Sequence, residues 1–269
     1  MSLLLKDGWN RISKSYQRKS GIPTNDVYWG DFVATESQLK ILGDVRGKRI
    51  LEIACGGAQS SIALSKWGAE TFGVDLSEKQ ILYGKKLARS ESVEVNLLVC
   101  NMEKLPFKDE SFDIVTTAVS LFYAPDMNSV IAEANRVLVR NGDFTFSTAH
   151  PFAEGKLVKY RGKKAVALRS YFKRRVVHWI DRLPDGAKVN MYSYYRTLQD
   201  YFDLLIANGF VVEKYVELER LDEPKLHPLD KEKIGKEKEA RQQYAIMKEV
   251  PYWIIFKTCK GGARSRIAK

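Results

Sequence analysis

Apolar and polar positions along this chain fall into two alternating rhythms. Short runs rich in β-branched and apolar residues recur at Arg49–Ala54 (RILEIA), Ala69–Leu76 (AETFGVDL), Val93–Asn101 (VEVNLLVCN), Ser111–Ser120 (SFDIVTTAVS) and Asn141–Ala149 (NGDFTFSTA). Runs of this length and composition predict strands. The segments between them are long enough for helices, and Val130–Val139 (VIAEANRVLV) repeats its apolar residues at the three-to-four spacing of a helix face. Strand and helix in strict alternation predict an α/β fold with a mostly parallel sheet, helices covering both faces.

Outside that core the pattern changes. In residues 1–45, Phe32, Leu39 and Leu42 fall near helical spacing, and the segment reads as a helical N-terminal cap. After Ala149 the rhythm breaks: 151–196 reads as an insertion on the substrate side, with a Pro-Asp-Gly turn in DRLPDG. It resumes with a helix in Thr197–Phe210 that stops at Asn208-Gly209, then strands at Val211–Leu218 and Pro251–Thr258 around a polar, charge-dense stretch. The organisation expected is a cap over 1–45, a ligand-binding core over 46–150, the insertion over 151–196, completion of the sheet over 197–260 and a basic flexible tail over 261–269.

Composition narrows the class. With 269 residues and 45% hydrophobic content, the chain can bury a core without staples. Cys55, Cys100 and Cys259 form no CxxC pair and the three histidines have no metal-ligand spacing, so neither a disulfide framework nor a metal site is expected. No run approaches the length of a membrane span, and the N-terminal leucines are too few for a signal segment. A cytoplasmic protein is expected. The net charge of +11 is concentrated in Lys156–Arg175, which holds nine Lys or Arg and no acid, and in the tail. Contact with RNA, an anionic membrane or an acidic substrate competes here with a merely solvated face.

The chemistry is concentrated at strand ends. Cys55, Gly56, Gly57 and Ala58 follow the first strand directly, at the place where open α/β sheets bind ligands. The G-x-G-x-x-G of a dinucleotide site is missing, as is a Walker lysine. Asp75 ends the second strand, where a carboxylate can accept both hydroxyl hydrogens of a ribose. Glu52, just ahead of the turn, suits a cationic amino group better than a phosphate. An adenosine without phosphates follows from that pair. At the third strand's end Asn101 or Glu103 can meet the adenine amine and Met102 its ring; the bland alternative leaves Met102 in the core and Glu103 in solvent.

Taken in order, RILEIACGGAQ, GVDLS, NMEKLPFKDESFDIVTT and VIAEANRVLVRNG resemble the class I S-adenosylmethionine-dependent methyltransferases, in the small-molecule, UbiE-like branch that carries methyltransferase domain 11. The resemblance spans Arg49 to about His150, weakens in the insertion and returns at YYRTLQDYFDLLIANGF. It implies a Rossmann-like seven-stranded sheet whose last strand is antiparallel. S-adenosylmethionine is the implied cofactor, S-adenosylhomocysteine the product, and no metal is needed. It also implies that Ala54, Cys55, Gly56 and Gln59 line the methionine side, that Asp75 and Leu76 hold and cover the adenosine, and that Asn101, Met102 and Glu103 face adenine. Ala118 would lie beneath the cofactor, with Tyr16 and Trp29 reaching it from the cap. Ala54 and Ala58 replace outer glycines of the family turn, which alanine tolerates only where φ is negative. Asn101 stands where an aspartate is common.

A sulfonium carries its methyl ready to leave, so proximity and in-line orientation toward an O, N or C nucleophile do most of the work. Tyr123 and His150, after the fourth and fifth strands, are the candidate catalytic groups, as wall and base. His178, Tyr195 and Arg196 can close over an acceptor from the insertion, although Arg196 serves equally as an anchor and His150 as a loop tie. The insertion's aromatics are open to three readings: a pocket wall, a stack for RNA bases, or a small core of their own. A small-molecule methyltransferase, monomeric or homodimeric, is the leading expectation. An RNA methyltransferase and a non-catalytic adenosylmethionine-binding protein are the alternatives.

Overall fold

The computed structural model describes residues 2–261, so the basic tail expected over 261–269 lies, from 262 onward, outside the described residues. The chain begins with α1 (Ser2–Ser20) and the single turn α2 (Glu36–Leu39), then runs β1 (Arg49–Ile53), α3 (Gln59–Lys66), β2 (Glu70–Asp75), α4 (Glu78–Ser90), β3 (Asn96–Val99), β4 (Phe112–Thr117), α5 (Met127–Val137) and β5 (Leu138–Ala149). The insertion folds as two hairpins, β6 (Lys156–Tyr160) with β7 (Lys163–Ala167), and β8 (Arg175–Arg182) with β9 (Lys188–Tyr195). After it come α6 (Leu198–Ala207), β10 (Phe210–Leu218), α7 (Pro228–Lys236), α8 (Lys238–Ile246) and β11 (Trp253–Lys260).

One seven-stranded sheet has the order β10-β11-β5-β4-β1-β2-β3, and β11 alone runs opposite to the other six. The alternation rule explains how it is buried. On β11, Ile254 and Phe256 join Phe144, Phe146, Tyr201 and Phe210 on the face covered by α5 and α6. Trp253 and Ile255 point the other way, into a cluster with Trp29, Phe32, Ile114 and Met247. From β1 the chain winds outward through β2 and β3, then returns to β4 on β1's other side. That reversal opens a crevice at the carboxyl ends of β1 and β4, where a ligand can enter between strand and helix.

Two segments differ from the pattern read in the sequence. The cap is helical only in part: Phe32 has φ 67° and Lys40 φ 51°, left-handed values that stop a helix on either side of α2, and Phe32 is buried as a loop residue. The charge-dense stretch 222–249 instead holds α7 and α8. Its Asp230 is 2% exposed and accepts from the Tyr28 hydroxyl (2.5 Å) and the Phe32 N–H (3.1 Å), clasping the N-terminal segment to α7. Replacing Asp230 by Ala leaves the Phe32 N–H without its partner and the Tyr28 hydroxyl with only the longer contact to Asp31 (3.3 Å), and the expected loss of stability is about 2 kcal/mol, read from the urea midpoint at unchanged slope.

Candidate active site

A cavity of about 460 Å³ lies over the crevice. Its floor is the turn after β1. Ala54, Gly56 and Ala58 have φ of 51°, 54° and 63°, so every second residue is left-handed and the chain folds into a tight concave loop. The condition under which alanine is neutral at 54 and 58 therefore fails: both positions need positive φ, at a cost of about 1–2 kcal/mol each. A Cβ on Gly56 would meet nothing within 4 Å, whereas one on Gly57 would strike the Gln17 side chain at 2.6 Å. Gly56 thus faces open cavity and Gly57 lies under α1.

Asp75 closes the far side of the turn. Its two carboxylate oxygens accept from Gly56 N–H (2.9 Å) and Ser77 N–H (2.8 Å), leaving a lone pair on each for a ribose hydroxyl. Burial pushes its carboxyl up to about 6, against the lowering pull of those two N–H groups. Glu52 is held by the backbone N–H and hydroxyl of Ser61, at 2.9 and 2.5 Å. Burial again outweighs hydrogen bonding and pushes it up to about 7. Asn101 keeps its amide in place by accepting from Glu103 N–H (3.0 Å) and donating to the Glu103 carboxylate (3.2 Å).

The roof is α1. Asn10 accepts from the Ser77 hydroxyl (2.7 Å) and Lys79 N–H (3.2 Å), while Gln17 donates to Gln80 (2.7 Å) and accepts from Gln59 (2.5 Å). One face of α1 is thereby stapled to the first turns of α3 and α4. The next face carries Trp9 and Tyr16, whose rings meet edge to face at 5.3 Å, and Trp9 meets Tyr123 likewise at 5.2 Å. The insertion leans on the same helix, with Val189 and Met191 of β9 packed on Ile12.

Of the residues singled out in the sequence, Tyr16, Glu52, Ala54, Cys55, Gly56 and Gln59 line this cavity, as do Asp75, Leu76, Asn101, Met102, Ala118 and Tyr123. Six others lie elsewhere. Trp29 is fully buried with its indole N–H on Glu36 (3.0 Å), and anchors a segment whose neighbours Tyr28, Gly30 and Asp31 reach the cavity. Glu103 acts on Asn101 from behind and accepts from Asp126 N–H (3.0 Å). His150 is 2% exposed; its Nδ1 accepts from Phe152 N–H (3.0 Å) and its Nε2 is 3.4 Å from a Glu217 oxygen. Burial lowers its pKa, and His150 lies outside the cavity lining, where it ties the loop after β5 rather than facing an acceptor. His178 lies on the exposed side of β8, stacked on Tyr192 at 5.0 Å. Tyr195 donates to the Tyr171 carbonyl (3.0 Å), and Arg196 donates to the Ala124 carbonyl (2.6 Å), the anchoring role.

Several cavity residues had no motif to betray them. Trp9, seven positions before Tyr16, shares its helix face, a spacing the sequence does display. Val119 carries φ 55°, costly for a β-branched residue, and is held by Ser147 through its carbonyl (3.1 Å) and hydroxyl (3.0 Å). Asp31, Asp181, Gln243 and Trp253 come from four separate parts of the chain. Among the described residues no group of three His, Cys, Asp or Glu is placed to hold a metal ion.

A doubly wound sheet with one antiparallel strand, a glycine turn and a ribose-type carboxylate at its switch point defines a class I methyltransferase fold. Comparison with known proteins agrees. Residues 51–146 match the methyltransferase domain family. An uncharacterized protein of Haemophilus influenzae is 26% identical over 76% of this chain and 83% of its own. A demethylmenaquinone methyltransferase of Staphylococcus aureus is 35% identical over half of this chain, and the match spans 55% of that relative's length. Among solved structures, an S-adenosylmethionine-dependent methyltransferase of Mesorhizobium loti superposes with a TM-score of 0.63 at 23% identity, over 83% of this chain and 96% of that one. Residues 51–146 thus carry a methyltransferase domain, and the fold around them is that of the class I S-adenosylmethionine-dependent methyltransferases. Open space at Gly56 and the two free lone pairs on Asp75 fit S-adenosylmethionine as cofactor.

Two outcomes follow from the turn and its acids. Ala54→Gly relieves a left-handed alanine and should raise stability by about 0.5–1 kcal/mol after the added freedom of the unfolded chain is counted, again read from denaturant midpoints. Because the Glu52 and Asp75 carboxyls are raised above their unfolded values, their contribution to stability of the free protein is full below about pH 4 and is lost as pH rises through about 6 to 7. Should these two carboxylates hold the cofactor's amino group and ribose, binding runs the opposite way, since each must then be ionised. Affinity by calorimetry should fall on the order of tenfold from pH 8 to pH 6, and by only about twofold in Glu52→Gln, where Asp75 alone titrates.

Proposed function

We propose that the protein transfers a methyl group from S-adenosylmethionine to a small-molecule acceptor held beside the turn after β1. The observation that carries this reading is Asp75, fixed by Gly56 and Ser77 with one lone pair free on each oxygen, at the base of a cavity roofed by α1. When bound, the cofactor supplies an electrophilic methyl on a sulfonium. The chain's part is to hold and orient. Asp75 receives the ribose hydroxyls, Glu52 the amino group, Asn101 the adenine amine and Met102 the ring, while Trp9, Tyr16 and Tyr123 keep water from the transfer axis.

Neither tyrosine is a phenolate at neutral pH. Burial pushes the Tyr16 phenol up to about 12 and the Tyr123 phenol higher still, which favours a wall or hydrogen-bond donor over a base. The volume suits a cofactor with a small acceptor. The S. aureus relative acts on demethylmenaquinone by its name, in keeping with an acceptor of metabolite class. Among the described residues no helix is long and apolar enough to cross a membrane. Cys55 and Cys100 are free thiols, which supports a reducing, cytoplasmic setting.

The RNA alternative has the β6–β7 hairpin in its favour, where Lys156, Lys159, Arg161, Lys163 and Lys164 are exposed. The cavity speaks against it: among the described residues no arginine lines it, and six acids there outweigh Lys19 and Lys233, a poor receptor for phosphates. Asp75→Ala removes two charge-assisted hydrogen bonds and should weaken S-adenosylmethionine binding about a hundredfold. Calorimetry reads this directly. Label from methyl-labelled cofactor should enter a small-metabolite pool and not an RNA pool; label in RNA alone overturns the acceptor class, and failure of wild-type protein to bind the cofactor overturns the enzyme.

A further inference from the structure

The acceptor end of the cavity is walled by aromatic rings from three elements. Trp9 and Tyr16 of α1 stand at right angles, Tyr123 follows β4, and Trp179 of β8 lies behind Tyr123 at 6.1 Å between ring centroids. Burial on β8 alternates at every residue, so Trp179 and Asp181, two apart, share the inward face. Asp181 lines the cavity, and its field reaches Tyr123, whose ionisation it opposes. Among the described residues the side chain's one hydrogen bond is from the N–H of the next residue, Arg182 (2.8 Å), and it has no ion pair. The acids whose fields reach Tyr16 are Asp31, already neutralised by Lys233 at 2.6 Å, and Asp75, tied to Gly56 and Ser77.

Glu52 and Asp75 are tied into the turn after β1 by N–H and hydroxyl donors, whereas Asp181 shares the inward face of β8 with Trp179 and brings its charge to the aromatic end of the cavity with no cation beside it among the described residues. Ring faces carry negative charge density and attract organic cations, as does the carboxylate. A phosphate or carboxylate on the acceptor would be repelled, and a neutral alcohol would leave Asp181 without a counter-charge. We propose that this subsite binds a small organic amine as its ammonium, between Trp9, Tyr16 and Tyr123, with Asp181 as counter-charge and proton acceptor. The assignment rests on the methyltransferase reading above and names its substrate class. The ammonium proton passes to the Asp181 carboxylate; the freed nitrogen lone pair forms the N–C bond to the methyl. The S–C bond breaks with its pair kept by sulfur as a neutral thioether, and Asp181 returns the proton to water.

The test separates the two layers. With protein saturated by S-adenosylhomocysteine, whose binding is measured first, the probes are 2-phenylethylamine, 2-phenylethanol and phenylacetate, near-isosteres that differ in charge. The amine should bind at least tenfold tighter than the alcohol, with phenylacetate weakest. Asp181→Asn should remove that preference while leaving S-adenosylhomocysteine affinity and the melting temperature unchanged. Three probes binding alike, including none binding, or a preference that survives Asp181→Asn, overturns the amine assignment without touching the cofactor site. Loss of S-adenosylhomocysteine binding in the wild-type protein instead overturns the reading beneath it.

Discussion

Two backbone N–H groups on one carboxylate hold the site together. Gly56 and Ser77 are 21 positions apart, on different strand-to-helix connections, and Asp75 is where their donors converge. This fixes the spacing between the ends of β1 and β2, and with it the width of the crevice. The tie continues outward, because the Ser77 hydroxyl donates to Asn10 and so brings α1 down over the same point. Removing the carboxylate would free the turn, the first turn of α4 and the roof together. The same burial that makes this clasp firm also raises the carboxyl's pKa, so its grip on a ligand is tied to pH.

Around that clasp the chain tolerates backbone strain where it aids close approach. Left-handed alanines at 54 and 58 and a left-handed valine at 119 bring main chain to the cavity from both β1 and β4. Surrounding contacts over-determine them: Ala58 is fully buried at the start of α3, and Val119 has two bonds to Ser147. Gln17 lies across Gly57, which has no side chain to obstruct it, and joins α3 to α4 through paired amides. The N-terminal helix is thus part of the binding wall rather than an appendage.

Charge is sorted by side of the molecule. Cations of the β6–β7 hairpin face solvent, Lys159 directly across from Lys164, an arrangement that favours keeping the hairpin hydrated or meeting an anion. Arg174 and Arg175 are drawn back by Asp200 and Glu154. The cavity is acidic and aromatic. A positively charged exterior and a negatively charged interior suit a protein whose cofactor and, on our proposal, whose acceptor are both cationic.

The strand rhythm from Arg49 to Ala149, the glycine turn after β1 and the placing of Asp75, Asn101 and Met102 at strand ends are legible in the sequence, because a strand's end and the turn that follows it are set by residues close together in the chain. Periodicity and turn chemistry are local, and local order survives in a linear string. The left-handed φ at Ala54 and Ala58 was not legible, since alanine there runs against residue preference and only packing enforces it. Neither was the fate of His150, Tyr195 and Arg196, whose positions near strand ends suit a site equally well on paper; burial and backbone carbonyls a long way off in sequence claimed them instead. Trp9, Asp31, Asp181 and Trp253 meet only because α1, a loop, a hairpin and the last strand close over one crevice. The sequence by itself determined the sheet, the glycine turn after β1 and the acid at the end of β2; the rest of the cavity was decided by tertiary structure alone, because its walls are long-range contacts that no spacing along the chain encodes.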